Sequence, residues 1–440
     1  MGLSRIDPEI QGCQRICDLP NDLLLRILHL VPAKDAVATE VLSKRWRHVW
    51  KMMHKLDFIE NQDSESFGRF IDKALQLHKA PKLRSLVVEV GPRCPVDVDV
   101  RKWADKAVNQ GVMNLEFKLH WRGEPTSFPK SVYTCDTLVR LCLSNQVLVD
   151  VSFTASLPSL THMFLFKVVY KDQDSLARLL SSCPLLYHLS VERHKIRKQA
   201  REDNLTDFTV KVPWLKSLRY YTSLRERQEH EQEQEQEEYQ IGSLVIDCPA
   251  LTRVVILEQW GDYCSVTEKM LCLEEAYIRY VHNPDEKLLT CFSSARRLVF
   301  SLSKSTVACC KAVKFSGLID LEFIAQIDVD WLEPFILLLH NSPKLKILTV
   351  DTAGCPQSPW NEPSTVPGCL SSHLEVVKWK DYEGKEDEKQ LLTYILANSY
   401  HLKTVEVLLV ATCNLEECQK ELESMPRIST SSRLLCSTSS

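Results

Sequence analysis

Residues 83–88 read LRSLVV and residues 345–350 read LKILTV, and this pattern decides the fold. Each stretch begins with leucine, repeats leucine at the fourth position and places an apolar residue at the sixth. Alternate residues of a β-strand point to the same side, so the fourth and sixth residues share one face. One such strand cannot bury that face alone, so the pattern predicts stacked copies that share a core.

The pattern recurs along the chain from residue 83 onward. Of the twelve intervals between first positions, eleven are 22–29 residues long, within the 20–29-residue range of leucine-rich repeats, and one is 36 residues long. The first positions are Leu83, Val112, Leu138, Leu160, Leu186, Leu215, Leu251, Leu273, Ala295, Leu318, Leu345, Leu374 and Leu402.

Helical stretches separate the predicted strands. Residues 174–182 and 331–339 are examples, and each precedes a proline that cannot continue a helix. Cys183 and Cys248 stand directly before proline and are predicted to fill small core sites. The predicted fold class is therefore α/β, an irregular leucine-rich-repeat solenoid with parallel strands inside and helices outside.

The amino-terminal region differs from the repeats. Residues 16–50 contain 19 apolar residues out of 35, and they predict three short helices. Pro20 suits the start of the first and Pro32 ends it; residues 34–41 form the second, and Ser43 caps a third. The apolar stripe of the first helix comprises Leu24, Ile27, Leu28 and Val31.

Three helices of this size cannot bury all of their apolar surface among themselves. Two interpretations stay open from the residues alone. Either the helices dock on the rest of the chain, or one face is reserved for another protein.

Three segments depart from the repeat pattern. Residues 225–238 contain seven Glu and are predicted to form a solvated loop at an edge of the solenoid. Residues 426–440 are rich in Ser and Thr and are predicted to be disordered. A basic cluster is interpreted as a solvated helical turn, with a nuclear-import signal as the alternative; it comprises Arg193, His194, Lys195, Arg197, Lys198 and Arg201.

Composition narrows the function further. The chain has 440 residues and a net charge of −4, which argues against nucleic-acid binding by phosphate neutralisation. It has no apolar stretch long enough to span a membrane and no secretory signal. Its 17 Cys therefore indicate reduced thiols in the cytoplasm or nucleus. With 12 Gly and no paired CxxC, HExxH or GxSxG motif, neither a cofactor, a metal site nor an enzyme is expected.

Two segments resemble a known family. Residues 15–50 contain Leu19-Pro20, Leu23-Leu24-Leu25 and Leu42-Ser43-Lys44-Arg45-Trp46, and they resemble an F-box. Residues 360–396, with Pro363, Pro367, Trp379 and Tyr382, are similar to an FBD region. With the repeats between them, the chain resembles the plant F-box/leucine-rich-repeat/FBD proteins over residues 12–412.

The resemblance implies an organisation for the whole chain. The F-box would cover residues 12–60, the repeats 61–354 and the FBD region, as last repeats and carboxy-terminal cap, 355–412. It also implies a non-catalytic adaptor of a Skp–cullin–F-box ubiquitin ligase, which binds a Skp-type adaptor, through it a cullin, and an unidentified target protein. The alternative is an interaction scaffold of the same fold that recruits no cullin. The implied adaptor-binding residues are Leu19, Pro20, Leu24, Ile27, Leu28, Val37, Val41, Leu42 and Trp46.

Overall fold

A computed structural model describes residues 16, 19–60, 66–94, 98–121, 124–195, 205–224, 241–326, 329–352, 358, 360–411 and 415–438. The acidic insertion and Arg197, Lys198 and Arg201 lie outside these residues. The chain divides into two compact units, residues 1–124 with 137–141, and residues 125–136 with 142–440. The first unit thus extends beyond residue 60, the predicted end of the F-box, and takes in the first two repeats.

The first unit combines helices with three parallel strands. Its strands pair in the order β1-β2-β3, and Leu86 of β2 lies beside Leu56 of β1 and Leu115 of β3. The elements are α1 (Asn21–Leu28), α2 (Ala33–Ala38), α3 (Trp46–Val49), β1 (Lys55–Ile59), α4 (Phe67–Leu77), β2 (Ser85–Val90), α5 (Val100–Asn109) and β3 (Asn114–Leu119), with 3-10 turns at Thr39–Val41 and Trp50–Met52.

The second unit is dominated by strands. They are β4 (Thr126–Ser127), β5 (Arg140–Asn145, beginning at the unit boundary), β6 (Val147–Val149), β7 (His162–Phe166), β8 (Val169–Tyr170), β9 (His188–Lys195), β10 (Asp207–Lys211), β11 (Ser217–Leu224), β12 (Ser243–Asp247), β13 (Arg253–Leu257), β14 (Tyr263–Val266), β15 (Glu275–Arg279), β16 (Asn283–Pro284), β17 (Arg297–Leu302), β18 (Asp320–Ala325), β19 (Ile347–Thr352), β20 (Val376–Tyr382), β21 (Thr404–Leu409) and β22 (Arg433–Thr438).

Seven helices accompany these strands in the described part of the second unit. They are α6 (Ser175–Ser181), α7 (Leu288–Cys291), α8 (Val307–Cys310), α9 (Leu332–His340), α10 (Gly368–Ser372), α11 (Glu386–Asn398) and α12 (Leu415–Ser424), with a 3-10 turn at Lys130–Thr134. Among the residues that the structure describes, none of the helices has the length and apolarity needed to cross a membrane.

The repeat pattern places all the strands of the main sheets except β1 and β22. Each of the thirteen predicted units begins its strand two residues after its first apolar position, and all thirteen first positions are buried. Fourth positions lie side by side on neighbouring strands, as Leu189, Leu218 and Val254 do on β9, β11 and β13. In the second unit the parallel order is β5-β7-β9-β11-β13-β15-β17-β18-β19-β20-β21-β22. The predicted fold class, with an F-box followed by repeats, is confirmed.

A repeated backbone contact holds the strand starts in register. The carbonyl of Tyr187 accepts hydrogen bonds from the N–H groups of Lys216 and Ser217, at 3.1 and 3.0 Å. The carbonyl of Lys216 in turn accepts hydrogen bonds from the N–H groups of Thr252 and Arg253 in the following repeat. The same geometry recurs from repeat to repeat within each unit. It needs no particular side chain, which lets the repeats vary in sequence while the strands stay aligned.

The outer layer of the second unit is partly strand rather than wholly helix. Two further parallel sheets, β4-β6-β8 and β10-β12-β14-β16, occupy places where helices were predicted. The residues explain the difference. In β10 and β12 every second residue is buried, and the residues between are exposed or half-buried. A helix would need apolar residues at three- and four-residue spacing.

The carboxy terminus also differs from the prediction of disorder over residues 426–440. Strand β22 pairs in parallel with β21, with Leu434 beside Val405 and Cys436 beside Val407. The edge of β21 offers unpaired N–H and C=O groups, and a Ser/Thr-rich segment satisfies them as well as an apolar one.

Buried cysteines fill small sites under the repeats, as predicted for Cys183 and Cys248. The thiol of Cys183 donates to the carbonyl of Leu179 at 3.2 Å, and that of Cys248 to the carbonyl of Val210 at 3.4 Å. The thiol of Cys369, in the FBD region, donates to a backbone carbonyl in the same way. Within the described residues, no group of three or more His, Cys, Asp and Glu could hold a metal ion.

The basic cluster is a strand rather than a helical turn where it is described. Arg193, His194 and Lys195 end β9, and the Arg193 side chain is buried. Its guanidinium donates to the Tyr220 hydroxyl at 3.1 Å and lies 3.8 Å from the Asp262 carboxylate. The prediction of a solvated Arg193 rested on its charge alone. In the structure its guanidinium instead interacts with buried side chains of later repeats.

Candidate functional site

The first helix begins where the sequence predicts. Pro20 precedes α1 with φ −53°, a conformation that proline favours, and Asp22 lies in the first turn. The Arg45 guanidinium bonds Asn21 Oδ1 at 2.8 and 3.0 Å and also contacts the carbonyl oxygen of Leu19. The entry to α1 is thereby fixed to the segment that leads into α3.

The inner face of the F-box helices forms a small core. Leu24 and Leu28 of α1, together with Trp46, are buried within the first unit. Three of the nine predicted adaptor-binding residues therefore pack inside the unit. Their physical role here is to hold α1 and α3, which contact each other, in a fixed geometry.

Two polar contacts connect the end of the second helical segment to the third. The indole N–H of Trp50 donates to Glu40 Oε1 at 2.7 Å, and the ammonium of Lys51 lies 3.5 Å from the same oxygen. The backbone N–H groups of Lys79 and Ala80 in turn bond the carbonyl of Lys51. The helices are therefore braced on the rest of the first unit.

Bracing does not cover all of the apolar surface. Val41 is 88% exposed, Leu42 62% and Leu30 85%, and Pro20 is also exposed. Leu19, Ile27 and Val37 are half-buried. We name the large exposed apolar side chains of residues 16–42 the apolar F-box set: Ile16, Leu23, Leu30, Val31, Val41 and Leu42.

Four members of this set were not among the predicted adaptor-binding residues: Ile16, Leu23, Leu30 and Val31. A signal existed for two of them, because Pro32 ends α1 and leaves Leu30 and Val31 beyond its last turn. Leu23 is adjacent in sequence to the buried Leu24 and so lies on another side of the helix.

The charges around the apolar F-box set are mainly positive. The exposed ionised residues of 21–50 are four cations and two carboxylates. They are Arg26, Lys34, Lys44 and Arg47 against Asp22 and Asp35. Burial lowers the pKa of His29, so this imidazole is neutral at pH 7. The surface combines bare apolar side chains with a basic surround.

A helical unit of this kind, followed along the chain by parallel strands in leucine-rich-repeat register, defines a protein of the F-box/leucine-rich-repeat class. Family models agree with the three parts. The F-box domain matches residues 16–58, the LRR repeats of FBD-associated F-box protein At5g56370 match residues 100–267, and FBD matches residues 362–407.

Curated relatives match the chain over nearly its full length. The putative F-box/FBD/LRR-repeat protein At1g22000 of Arabidopsis thaliana is 56% identical, with 98% of this chain and 94% of that protein covered. The putative FBD-associated F-box protein At1g05080 of the same plant is 43% identical, with 96% and 98% covered. The chain belongs to the F-box/FBD/LRR-repeat family.

Proposed function

We propose that this chain is the target-recognition subunit of a Skp–cullin–F-box ubiquitin ligase. In this proposal the F-box binds a Skp-type adaptor and, through it, a cullin, while the repeats bind the target protein. The chain supplies no catalytic group of its own, because other subunits carry the ubiquitin-transfer chemistry.

The observation that supports the proposal is the exposure of Val41, Leu42 and Leu30 on an otherwise well-packed unit. Large apolar side chains that stay exposed to water do not stabilise the fold. Clusters of them commonly mark protein interfaces. Buried tryptophans and the Trp50–Glu40 hydrogen bond hold the helices rigid, so little conformational entropy is lost on binding. The basic surround favours an adaptor whose contact surface is acidic.

Replacing both Val41 and Leu42 by Asp tests the proposal. We expect the affinity for a Skp-type adaptor to fall at least about 100-fold, since two apolar contacts are replaced by charges that must be desolvated. Surface plasmon resonance on the purified full chain measures the change. Because both side chains are exposed, the thermal unfolding midpoint should stay the same.

The matched control changes two exposed apolar residues of the second unit in the same way. Phe153 is 91% exposed and Leu185 59%, so the variant Phe153→Asp with Leu185→Asp adds the same charge. It should bind the adaptor as the unmodified chain does. Full adaptor affinity in the Val41/Leu42 variant would refute the proposed docking surface, and an adaptor complex that never recruits a cullin would refute the ligase role.

A further inference from the structure

The side of the second unit's main sheet that faces away from the core carries an unusual array on β11, β13 and β15. Strand register aligns Arg219 with Val255 and Tyr277, and aligns Tyr221 with Leu257 and Arg279. These six residues alternate with fully buried ones, so they lie on the open face. We name them the open-face array.

Cations elsewhere on this face are paired with carboxylates. Examples are Lys380 with Glu322 at 2.6 Å, Lys378 with Glu406 at 2.7 Å and Lys167 with Glu192 at 3.1 Å. Arg253, which lies on β13 next to the array, is paired with Glu275 at 2.7 Å. In each pair the two opposite charges neutralise each other, so the pairs add little net charge to the face.

The two arginines of the open-face array are different. Arg219 is exposed and, among the described residues, has no carboxylate within ion-pair distance. Arg279 donates to the hydroxyls of Tyr277 at 3.0 Å and Tyr280 at 3.2 Å rather than to a carboxylate. Its Nε is buried and has no hydrogen-bond partner in the described part of the chain. The array therefore carries two positive charges without paired negative ones.

Neighbouring acids offset this charge only in part. Asp351 lies on the same row as Arg279 but three strands further on. It interacts electrostatically with Arg279, but the ammonium of Lys380 on the next strand acts on it more strongly. Glu258 follows β13 directly, but it is buried and accepts the backbone N–H groups of Trp260 and Gly261.

Apolar and aromatic groups extend the array. The Phe164 and Phe166 rings of β7 lie on the same face with centroids 6.0 Å apart, and His188 of β9 is 5.3 Å from Phe164. Register places Phe164 level with Arg219 and Phe166 level with Tyr221, two strands away. A partner that reaches the arginines also meets a surface suited to apolar side chains.

We propose that the open-face array binds an extended acidic segment of the target protein. The inference rests on the proposed function and names the chemistry of its target. Arginine donates two parallel hydrogen bonds to a carboxylate or a phosphate, and the tyrosine hydroxyls hold Arg279 in one orientation before binding. Val255 and Leu257 lie between the two arginines and contact the apolar residues of the bound segment.

The spacing of the array gives the spacing of the anionic groups. Two strand separations and two residues along the strand place the Cα atoms of Arg219 and Arg279 about 12 Å apart. An extended segment advances roughly 3.3 Å per residue, so the two anionic residues are three or four positions apart. The anionic group is either a carboxylate or a phosphate, and the experiment distinguishes these sources.

The test uses fluorescently labelled peptides and the purified full chain. One peptide carries two Glu four positions apart around apolar residues, a second has phosphoserine in their place, a third Gln and a fourth Lys. We expect the anionic peptides to bind at least about tenfold more tightly than the Gln peptide, and the Lys peptide not to bind. Tighter binding of the phosphoserine peptide assigns phosphorylated targets, and equal binding assigns carboxylate-rich ones.

Variants locate the binding. Arg219→Gln changes an exposed side chain and Arg279→Gln a half-buried one, and each should weaken anionic-peptide binding about tenfold. The control, Arg253→Gln with Glu275→Gln, removes a neutral pair from the same face and should leave affinity within about twofold. Equal binding of all four peptides, no binding of either anionic peptide, or unchanged affinity in Arg219→Gln would overturn the inference.

Two measurements separate this inference from its alternatives. Adaptor affinity is recorded on the same preparations, so loss of peptide binding with intact adaptor binding bears on the array alone. The insertion 225–238 carries seven Glu of its own, and a variant with those Glu changed to Gln tests it as a rival occupant. Peptides that bind only this variant would mean that the array holds the chain's own insertion, which overturns its assignment to a target.

Discussion

Replacing Arg193 by Ala is expected to lower the free energy of unfolding by about 3–5 kcal/mol. The guanidinium is buried, 3.8 Å from Asp262, and its centre lies 4.8 and 4.9 Å from the ring centroids of Phe208 and Trp260. Removing it takes the guanidinium away from the buried Asp262 carboxylate and withdraws the cation from both rings. Urea denaturation at pH 7, followed by fluorescence, measures the loss.

The size of the effect depends on the charge left behind, which gives two controls. Arg253→Ala removes an arginine from an exposed ion pair and should cost less than about 1 kcal/mol. Combining Arg193→Met with Asp262→Asn removes both charges and should be more stable than Arg193→Ala. Equal losses for Arg193→Ala and Arg253→Ala would contradict the buried ion pair.

Replacing Trp331 by Ala is expected to cost about 3–5 kcal/mol as well. Trp331 directly precedes α9, is 1% exposed, and its ring meets Phe335 edge-on at 6.1 Å and Phe323 at 6.2 Å. These three rings fill the space between α9 and β18, so truncation leaves a cavity that the rigid strands cannot close.

Trp214 provides the matched comparison for Trp331. It is 42% exposed in the turn before β11, and Trp214→Ala should cost less than about 1 kcal/mol. Differential scanning calorimetry of both variants measures the difference in midpoint. Similar midpoints for the two variants would mean that the aromatic cluster adds nothing specific to stability.

The repeats could be predicted because their cause is local and periodic. A strand begins two residues after each buried first position, even where that position is Ala295. Strand β1 obeys the same rule from Met53, with Leu56 and Phe58 buried, but methionine hid it in the sequence. Strand β22 has no apolar first position, and its pairing comes from the free edge of β21.

The site was less predictable than the fold. Apolar pattern identifies an amphipathic helix but does not say which of its faces the chain covers, and so Leu24 and Leu28 were grouped with the exposed Val41 and Leu42. The array of Arg219 and Arg279 depends on register between strands that lie far apart in sequence. Arg193 looked solvated because its partners come from later repeats.

The buried thiols are built-in probes of local opening of the structure. Burial raises the pKa of Cys183 to about 11 and those of Cys248 and Cys369 to about 12. The thiolate, not the thiol, is the nucleophile that reacts with an alkylating reagent. Among the described cysteines only Cys272 is exposed, so it should be modified first in the intact molecule. The rates at which the buried cysteines react would then report how often the structure opens locally around each of them. No cysteine has to be introduced for this measurement.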